Sequence, residues 1–376
     1  MRFPEFQGEW EKCKVSDLLD FFSTNSLSWE QLEYGTDNML NLHYGLIHVG
    51  LPTMVDLAKV TLPSIKKGNE PKNFEFCKEG DIAFADASED TNEVAKALEF
   101  YTLEDKAVVC GLHTIHGRDK SNKTVVGYKG YAFSSTAFHH QIRRIAQGTK
   151  IYSISAKNFA ECYIGIPSKE EQTKIAKLLR LIDERIATQS KLIEKFESLI
   201  KGIAHKVSKQ GKSNIRLSEC LQCSSSTLQE SDVKEVGAYP VYGANGVVGH
   251  LDTYATADDA IYIIKDGSGV GSVSYVKGKC SATGTLNILQ AKEGFSLRYL
   301  YFMLQVFRFE PYKTGMAIPH IYFKDYGKAK IYCPTYELQC KYADMLSAID
   351  QKIIAERQML TNLNSQKQYL LRQMFI

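Results

Sequence analysis

A chain of 376 residues with 44% hydrophobic, 24% charged and 11% aromatic side chains has ordinary globular composition, with core material for two domains or more. Its formal net charge of +3 excludes a uniformly basic, histone-like protein; cations gathered on one face would still suffice for DNA, because phosphate contacts need local charge. No basic start leads into an apolar run, no apolar stretch reaches membrane length, and nine scattered cysteines suit a reducing compartment, so the expected location is the cytoplasm, away from membranes.

Residues 1–150 are rich in Tyr, Phe, Val and Ile with Gly and Asn punctuation, which predicts short strands and loops with a few helices. Three fragments stand out. "NLHYGLIHVG" carries His43 and His48, "ADASED" carries Asp86, Ser88, Glu89 and Asp90, and "GLHTIHGR" carries His113, His116 and Arg118. Imidazoles and carboxylates can hold a metal or move protons, but these separations fit no ligand pattern. Loop hydrogen bonds supporting a surface are expected, and no metal site. Basic groups follow: Lys120 and Lys123 in a polar loop, then His139, His140, Arg143 and Arg144 beside Phe138.

At Pro167 the text changes to "PSKEEQTKIAKLLRLID". Ser168 is a helix N-cap, and Glu171 three residues on completes a capping box. Ile175, Leu179, Ile182, Ile186, Gln189, Ile193, Phe196, Ile200, Ile203 and Val207 then recur at steps of four and three. A stripe sustained over more than four heptads predicts a helix packed as a coiled coil, roughly 58 Å long at 1.5 Å per residue. "SKQGKSN" is a polar linker out of it.

Residues 211–318 again predict strands and loops. In "YPVYGANGVVGHLDTY" Asn245-Gly246 signals a tight turn between apolar runs, and "AIYIIKDGSGVGSVSYV" reads as strand, glycine loop, strand. Tyr242, Asn245, Lys265, Ser268, Lys277, Lys313 and His320 are the polar and basic candidates for DNA contacts in this stretch. Catalytic motifs fail one by one. Gly211-Lys212-Ser213 lacks the glycine a phosphate-binding loop needs at Lys206, and Gly267, Gly269 and Gly271 lack the last glycine of a dinucleotide fingerprint. There is no Pro-Pro, no Pro-Asp and no Gly-x-Ser-x-Gly, and Cys220 to Cys223 is a lone C-x-x-C without a second ligand pair.

"PTYELQCKYADMLSAID" at Pro334 repeats the earlier phrase. A constant offset of 167 places Gly148 on Gly315, Lys157 on Lys324, Ile164 on Ile331, Gln172 on Gln339 and Ile182-Asp183 on Ile349-Asp350, with no gap. This is an internal duplication. Tyr342, Leu346, Ile349, Ile353, Glu356, Leu360, Leu363, Lys367, Leu370 and Met374 carry the second stripe, interrupted at Glu356 as the first is at Gln189; Leu338 stands where the first copy has Glu171. Two such helices in one chain can pair antiparallel about a pseudo-twofold axis, and a zipper between two chains is the alternative.

Taken in order, these fragments resemble the DNA-specificity subunit of type I restriction–modification systems. The repeated "P-x-x-E-x-Q…Ile-Asp" helices are similar to that family's two conserved regions. "YPVYGANGVVG", "DGSGVGSVSYV" and "GMAIPHI" are similar to one version of its target-recognition domain, and "HYGLIH", "GDIAFADASED" and "GLHTI" to another. The resemblance implies an α+β fold: two mixed α/β target-recognition domains (1–150 and 211–318) joined by helical spacers (151–210 and 319–376) that form an antiparallel intrachain coiled coil with pseudo-twofold symmetry. Each domain would read half of a bipartite, asymmetric site on double-stranded DNA. The helix pair, through Ile175, Leu179, Ile182, Ile186, Ile193, Phe196, Leu346, Ile349, Ile353, Leu360, Leu363 and Leu370, would set the spacing and dock two methyltransferase subunits; restriction subunits can join. S-adenosylmethionine, Mg2+ and ATP would belong to those partners, and none to this non-catalytic chain. A coiled-coil DNA-binding regulator dimerising between chains, or an enzyme with an unfamiliar motif, are the competing readings.

Overall fold

A computed structural model describes residues 1–376 apart from Asp37, Ser268 and Ile376. The chain divides into two compact units, Met1–Gln189 with Met359–Ile376, and Ser190–Gln358.

In the first unit the strands Leu19–Phe22, Thr114–Asp119, Ile82–Ala85, Ala97–Thr102 and Met54–Asp56 lie in that order in a five-stranded sheet, antiparallel except for the last pair. A second sheet takes Val108–Cys110, Leu40–Leu42, Ser64–Ile65 and Leu32–Glu33. Residues 82–85 and 97–100 are buried at every position, because both faces of this sheet are covered and a strand so placed needs no polar alternation. One face packs on Leu40, Leu42, Leu57 and Val108. The other packs on Phe133, Phe138 and Phe159 and on the long helices. Helix Lys129–Phe133 is wholly buried, and Glu99 on the adjacent strand accepts from the N–H groups of Gly127 (2.9 Å) and Gly130 (2.8 Å) and pairs with Lys129 at 3.1 Å.

In the second unit Leu221–Ser225, Leu286–Ala291, Ala260–Ile264 and Val273–Val276 form an antiparallel sheet, the last two flanking the expected glycine loop. Tyr239–Gly243 and Gly246–Leu251 form the hairpin that Asn245-Gly246 signals, and Gly246 turns it at φ +107, a left-handed conformation a side chain would strain. Helix Leu297–Gln305, capped by the Ser296 hydroxyl accepting from the Tyr299 N–H, packs against the sheet, with Tyr301 meeting Tyr275 at 5.4 Å and Tyr299, Leu300, Phe302 and Leu304 buried.

The long helices run Lys169–Ser208 (40 residues) and Tyr336–Gln373 (38 residues), and each supplies a segment to each unit. In the first unit Ile175, Leu179 and Ile182 share a core with Leu370, Leu371 and Met374, and Lys367 reaches Asp183 at 2.6 Å. In the second, Arg357 reaches Glu197 at 2.5 Å, and the buried Ile353 and Ile200 line one cavity. Rising numbers on one helix meet falling numbers on the other, so the pairing inside each unit is antiparallel. Glu356, which interrupts the second stripe, is 8% exposed and is paired with Lys352 at 2.5 Å.

Candidate nucleic-acid interface

The duplication extends beyond the helices into the joint that seats each one. Gln172 is fully buried; its Oε1 accepts from the Val125 N–H at 2.9 Å, and its Nε2 donates to the carbonyls of Lys123 and Pro167, each at 2.9 Å. Gln339 does the same work in the other unit, accepting from Ser296 N–H and donating to the Pro334 carbonyl, both at 2.9 Å. The Tyr128 hydroxyl donates to the Gly165 carbonyl at 2.6 Å, and that of Tyr299 to Tyr332 at 2.8 Å. Val15 N–H donates to the Cys162 carbonyl and Leu217 N–H to that of Ala329, both at 2.9 Å. Lys120 and Lys292 donate their ammonium groups to the carbonyls of Ser16 and Ser218, both at 2.8 Å. Apart from the Gln172 bond to the Lys123 carbonyl, each of these contacts has a twin, so the two domains are hung on one design.

The helix starts differ in one respect. Glu171 N–H donates to the Ser168 hydroxyl at 3.3 Å, which is the cap expected, but the Glu171 carboxylate is held by Arg2 through two bonds of 2.7 and 2.6 Å instead of closing a capping box. Arg2 explains why the second copy tolerates Leu338: the acid serves an arm that the first unit alone possesses.

On the first domain the histidine fragments and the basic helix converge on one surface. His43 caps helix Tyr44–His48 by accepting from the Gly45 N–H at 3.1 Å, and its ring lies 4.5 Å from Trp29 and 4.8 Å from Tyr44. Tyr44 in turn meets His113 edge-on at 5.1 Å, and His113, in the left-handed region at φ +54, bonds to Asp86 at 3.0 Å. His48 touches the Ala87 carbonyl at 2.9 Å and lies 3.8 Å from Glu93. One loop later Arg143, on helix Thr136–Ile145, donates to Asn92 at 3.1 Å and to the His140 ring at 2.8 Å. Burial, then Arg143, lowers the pKa of His139; burial, then His113, lowers that of His43. The surface therefore presents Trp29, Tyr44, His48 and His113 around the buried His43, edged by Arg143 and the exposed Arg144.

Lys120 and Lys123 stand elsewhere. Lys120 belongs to the joint and also faces Asp20 at 3.4 Å; Lys123 pairs with Glu11, and its carbonyl is the one Gln172 clamps. In the second domain Lys265, His320 and Lys313 share one neighbourhood. Ile321 N–H donates to the Lys265 carbonyl at 2.9 Å, His320 bonds to Asp266 at 3.2 Å and bridges Thr314, and Lys313 pairs with Glu310 at 2.9 Å. Beside them Met316 and Ile318 are 105% and 60% exposed. Asn245 is exposed at the hairpin tip and Lys277 is exposed in a separate turn, whereas Tyr242 is half-buried with its ring 5.8 Å from Tyr262. Ser268 lies outside the described residues. Trp29, Asn92 and the exposed Met316 were not foreseen; nothing in local sequence ties them to the histidines.

All twelve helix positions expected at the seam are buried or half-buried: Ile175, Leu179, Ile182, Ile193, Leu346, Ile353, Leu363 and Leu370 are buried, and Ile186, Phe196, Ile349 and Leu360 are half-buried. No helix among the described residues is long and apolar enough to cross a membrane.

Two unlike α/β domains on equivalent joints, seated on paired helices, define a twin-domain recognition scaffold. Residues 54–198 and 213–365 match the family described as the type I restriction modification DNA specificity domain, and the chain belongs to that family. It is accordingly the non-catalytic, DNA sequence-recognition subunit of a type I restriction–modification system. A protein of Mycoplasma genitalium named as a type I specificity subunit is 26% identical over 269 residues, covering 65% of this chain and 69% of that one. The specificity subunit of the Escherichia coli type I restriction enzyme EcoprrI is 24% identical over 112 residues, 30% of this chain and 28% of its own. Among solved structures, the S subunit of a type I restriction–modification system from M. genitalium matches with a TM-score of 0.63 at 21% identity, over 100% of this chain and 99% of that one. A chain from work on assembly and conformational transition of the type I system matches with a TM-score of 0.57 at 14% identity, over 98% and 97%.

Proposed function

We propose that the chain reads a bipartite DNA site, each domain taking one half, while the helix pair fixes the gap and docks two methyltransferase subunits. The observation that carries this reading is the joint built twice around unlike domains. A protein that must present two equivalent stations to two identical partners needs a repeated frame, and one that must read an asymmetric sequence needs unlike domains on it. The ring-lined face of the first domain and the Lys265–His320 neighbourhood of the second offer what base-edge readout uses, hydrogen-bonding rings with cations beside them for phosphate. Half-sites about one helical turn apart lie ~34 Å between centres, within the roughly 57–60 Å that helices of 38 and 40 residues span. Methyl transfer from S-adenosylmethionine, and any ATP- and Mg2+-dependent translocation or cleavage, fall to the partners in the cytoplasm.

The test is a genome-wide map of adenine methylation in the host with and without this gene. Loss of a single bipartite motif on deletion supports the reading; an unchanged map, with the methyltransferase expressed, refutes it.

A further inference from the structure

We propose that Cys77, Cys110 and His116 form a metal site for a thiophilic d10 cation, zinc(II) above all, that pins together the two sheets of the first domain. The three residues come from three segments. Cys110 ends strand Val108–Cys110 of the four-stranded sheet, His116 lies mid-strand in the five-stranded sheet, and Cys77 sits on the strap between them, next to Phe76, which bridges Val109. They are 5%, 2% and 0% exposed for Cys77, Cys110 and His116, and one ligand atom from each lies within 4.8 Å of the other two.

The spacing suits the ion. With Zn–S near 2.3 Å and Zn–N near 2.0–2.1 Å, a tetrahedral centre holds two sulfurs about 3.8 Å apart and a sulfur and nitrogen about 3.6 Å apart. The two Sγ atoms already stand 3.6 Å apart, so the imidazole needs to close by about 1.2 Å at most. A second observation points to a ligand. His116 Nε2 is bonded to Asp81 Oδ2 at 2.8 Å, while Nδ1 is buried with no hydrogen-bond partner. A carboxylate that grips one imidazole nitrogen and leaves the other free is the arrangement that orients histidine on a metal. Asp81 is itself fixed by Arg118, through bonds of 2.8 and 2.8 Å, and by the Lys78 N–H at 2.8 Å. The buried charges balance: two thiolates offset a divalent cation and Arg118 offsets Asp81, while Glu75, which Arg118 also grips at 2.7 Å, is 38% exposed and keeps its charge in contact with water.

Three ligands leave the fourth position of a tetrahedral ion to a small ligand such as water. The site exists only when the two sheets are assembled, so binding adds to the stability of the first domain. The described residues of the second domain hold no comparable group, and the inference does not depend on which DNA the chain reads.

The experiment uses the full chain, made without a histidine tag in zinc-supplemented cells and dialysed against a mild chelator. We expect about one zinc per chain, released when thiols are modified, and a tetrahedral thiolate–cobalt spectrum after exchange with cobalt(II). Cys77→Ser and His116→Asn should lower retained zinc at least tenfold, and Cys340→Ser should leave it unchanged. A folded wild-type chain that takes up neither zinc nor cobalt overturns the site, as does retention by both ligand variants. So does loss of two thiols to a disulfide with no metal bound. If the variants fail to fold, the cobalt spectrum of the wild type still decides.

Discussion

At the scale of single residues the decisive groups are buried and polar. Gln172 and Gln339 satisfy backbone groups that would otherwise be left without partners in the interior, and an orphaned buried group costs about 1–3 kcal/mol. Gln172→Ala is therefore expected to lower unfolding free energy by ~2–3 kcal/mol in denaturant titration, and Gln339→Ala to do the same; no change in either would mean that water replaces the amide. His43 carries a pH prediction. Its Nδ1 accepts the Gly45 N–H, so protonation breaks the cap, and burial, with His113, holds its folded-state pKa below the ordinary value of 6.5. The unfolded chain then takes the proton first, so the contribution is full above about pH 6.5 and is lost as pH falls below it. The melting temperature should fall between about pH 7.5 and about pH 5.5, and His43→Asn, whose amide oxygen can still cap, should flatten that slope. An unaltered slope would assign the titration to another group.

At the scale of elements the long helices were legible because their signal is local: apolar steps of four and three need nothing but the helix itself. Strands 82–85 and 97–100 were not, because a strand buried on both faces shows no alternation. The seam predictions follow burial. Leu346, fully buried, should cost about 2–5 kcal/mol on truncation to Ala, whereas Ile354, 61% exposed on the same helix, should stay within about 0.5 kcal/mol. Four residues inserted between Ile186 and Phe196 add about 6 Å of helix, roughly two base pairs, and the methylated motif should show a longer gap. An identical motif at full activity would remove the helices from the measurement of distance.

At the scale of the whole molecule the histidine fragments and the basic helix were each visible in sequence, but their convergence was not, since Asn92 and Trp29 join them only in three dimensions. The twin joints were half-visible. Equivalent residues keep an offset of 167 from Gly148 and Gly315 onward, yet the offset is 202 at Val15 and Leu217 and 171 at Tyr128 and Tyr299. Unequal domain lengths thus hide the front half of each joint from any ungapped comparison. Replacing residues 211–318 with another recognition domain should change one half of the methylated motif and leave the other intact; changes in both halves would show that the domains are not independent readers.

The twin joints also bear on inheritance. A crossover within the two similar helix-coding stretches exchanges one cassette whole, and the newcomer fits if it brings an N–H for the glutamine and a tyrosine hydroxyl for the carbonyl four residues before the helix. Repertoire then grows as the product of the cassettes available to the two slots, while the frame of paired helices is inherited unchanged.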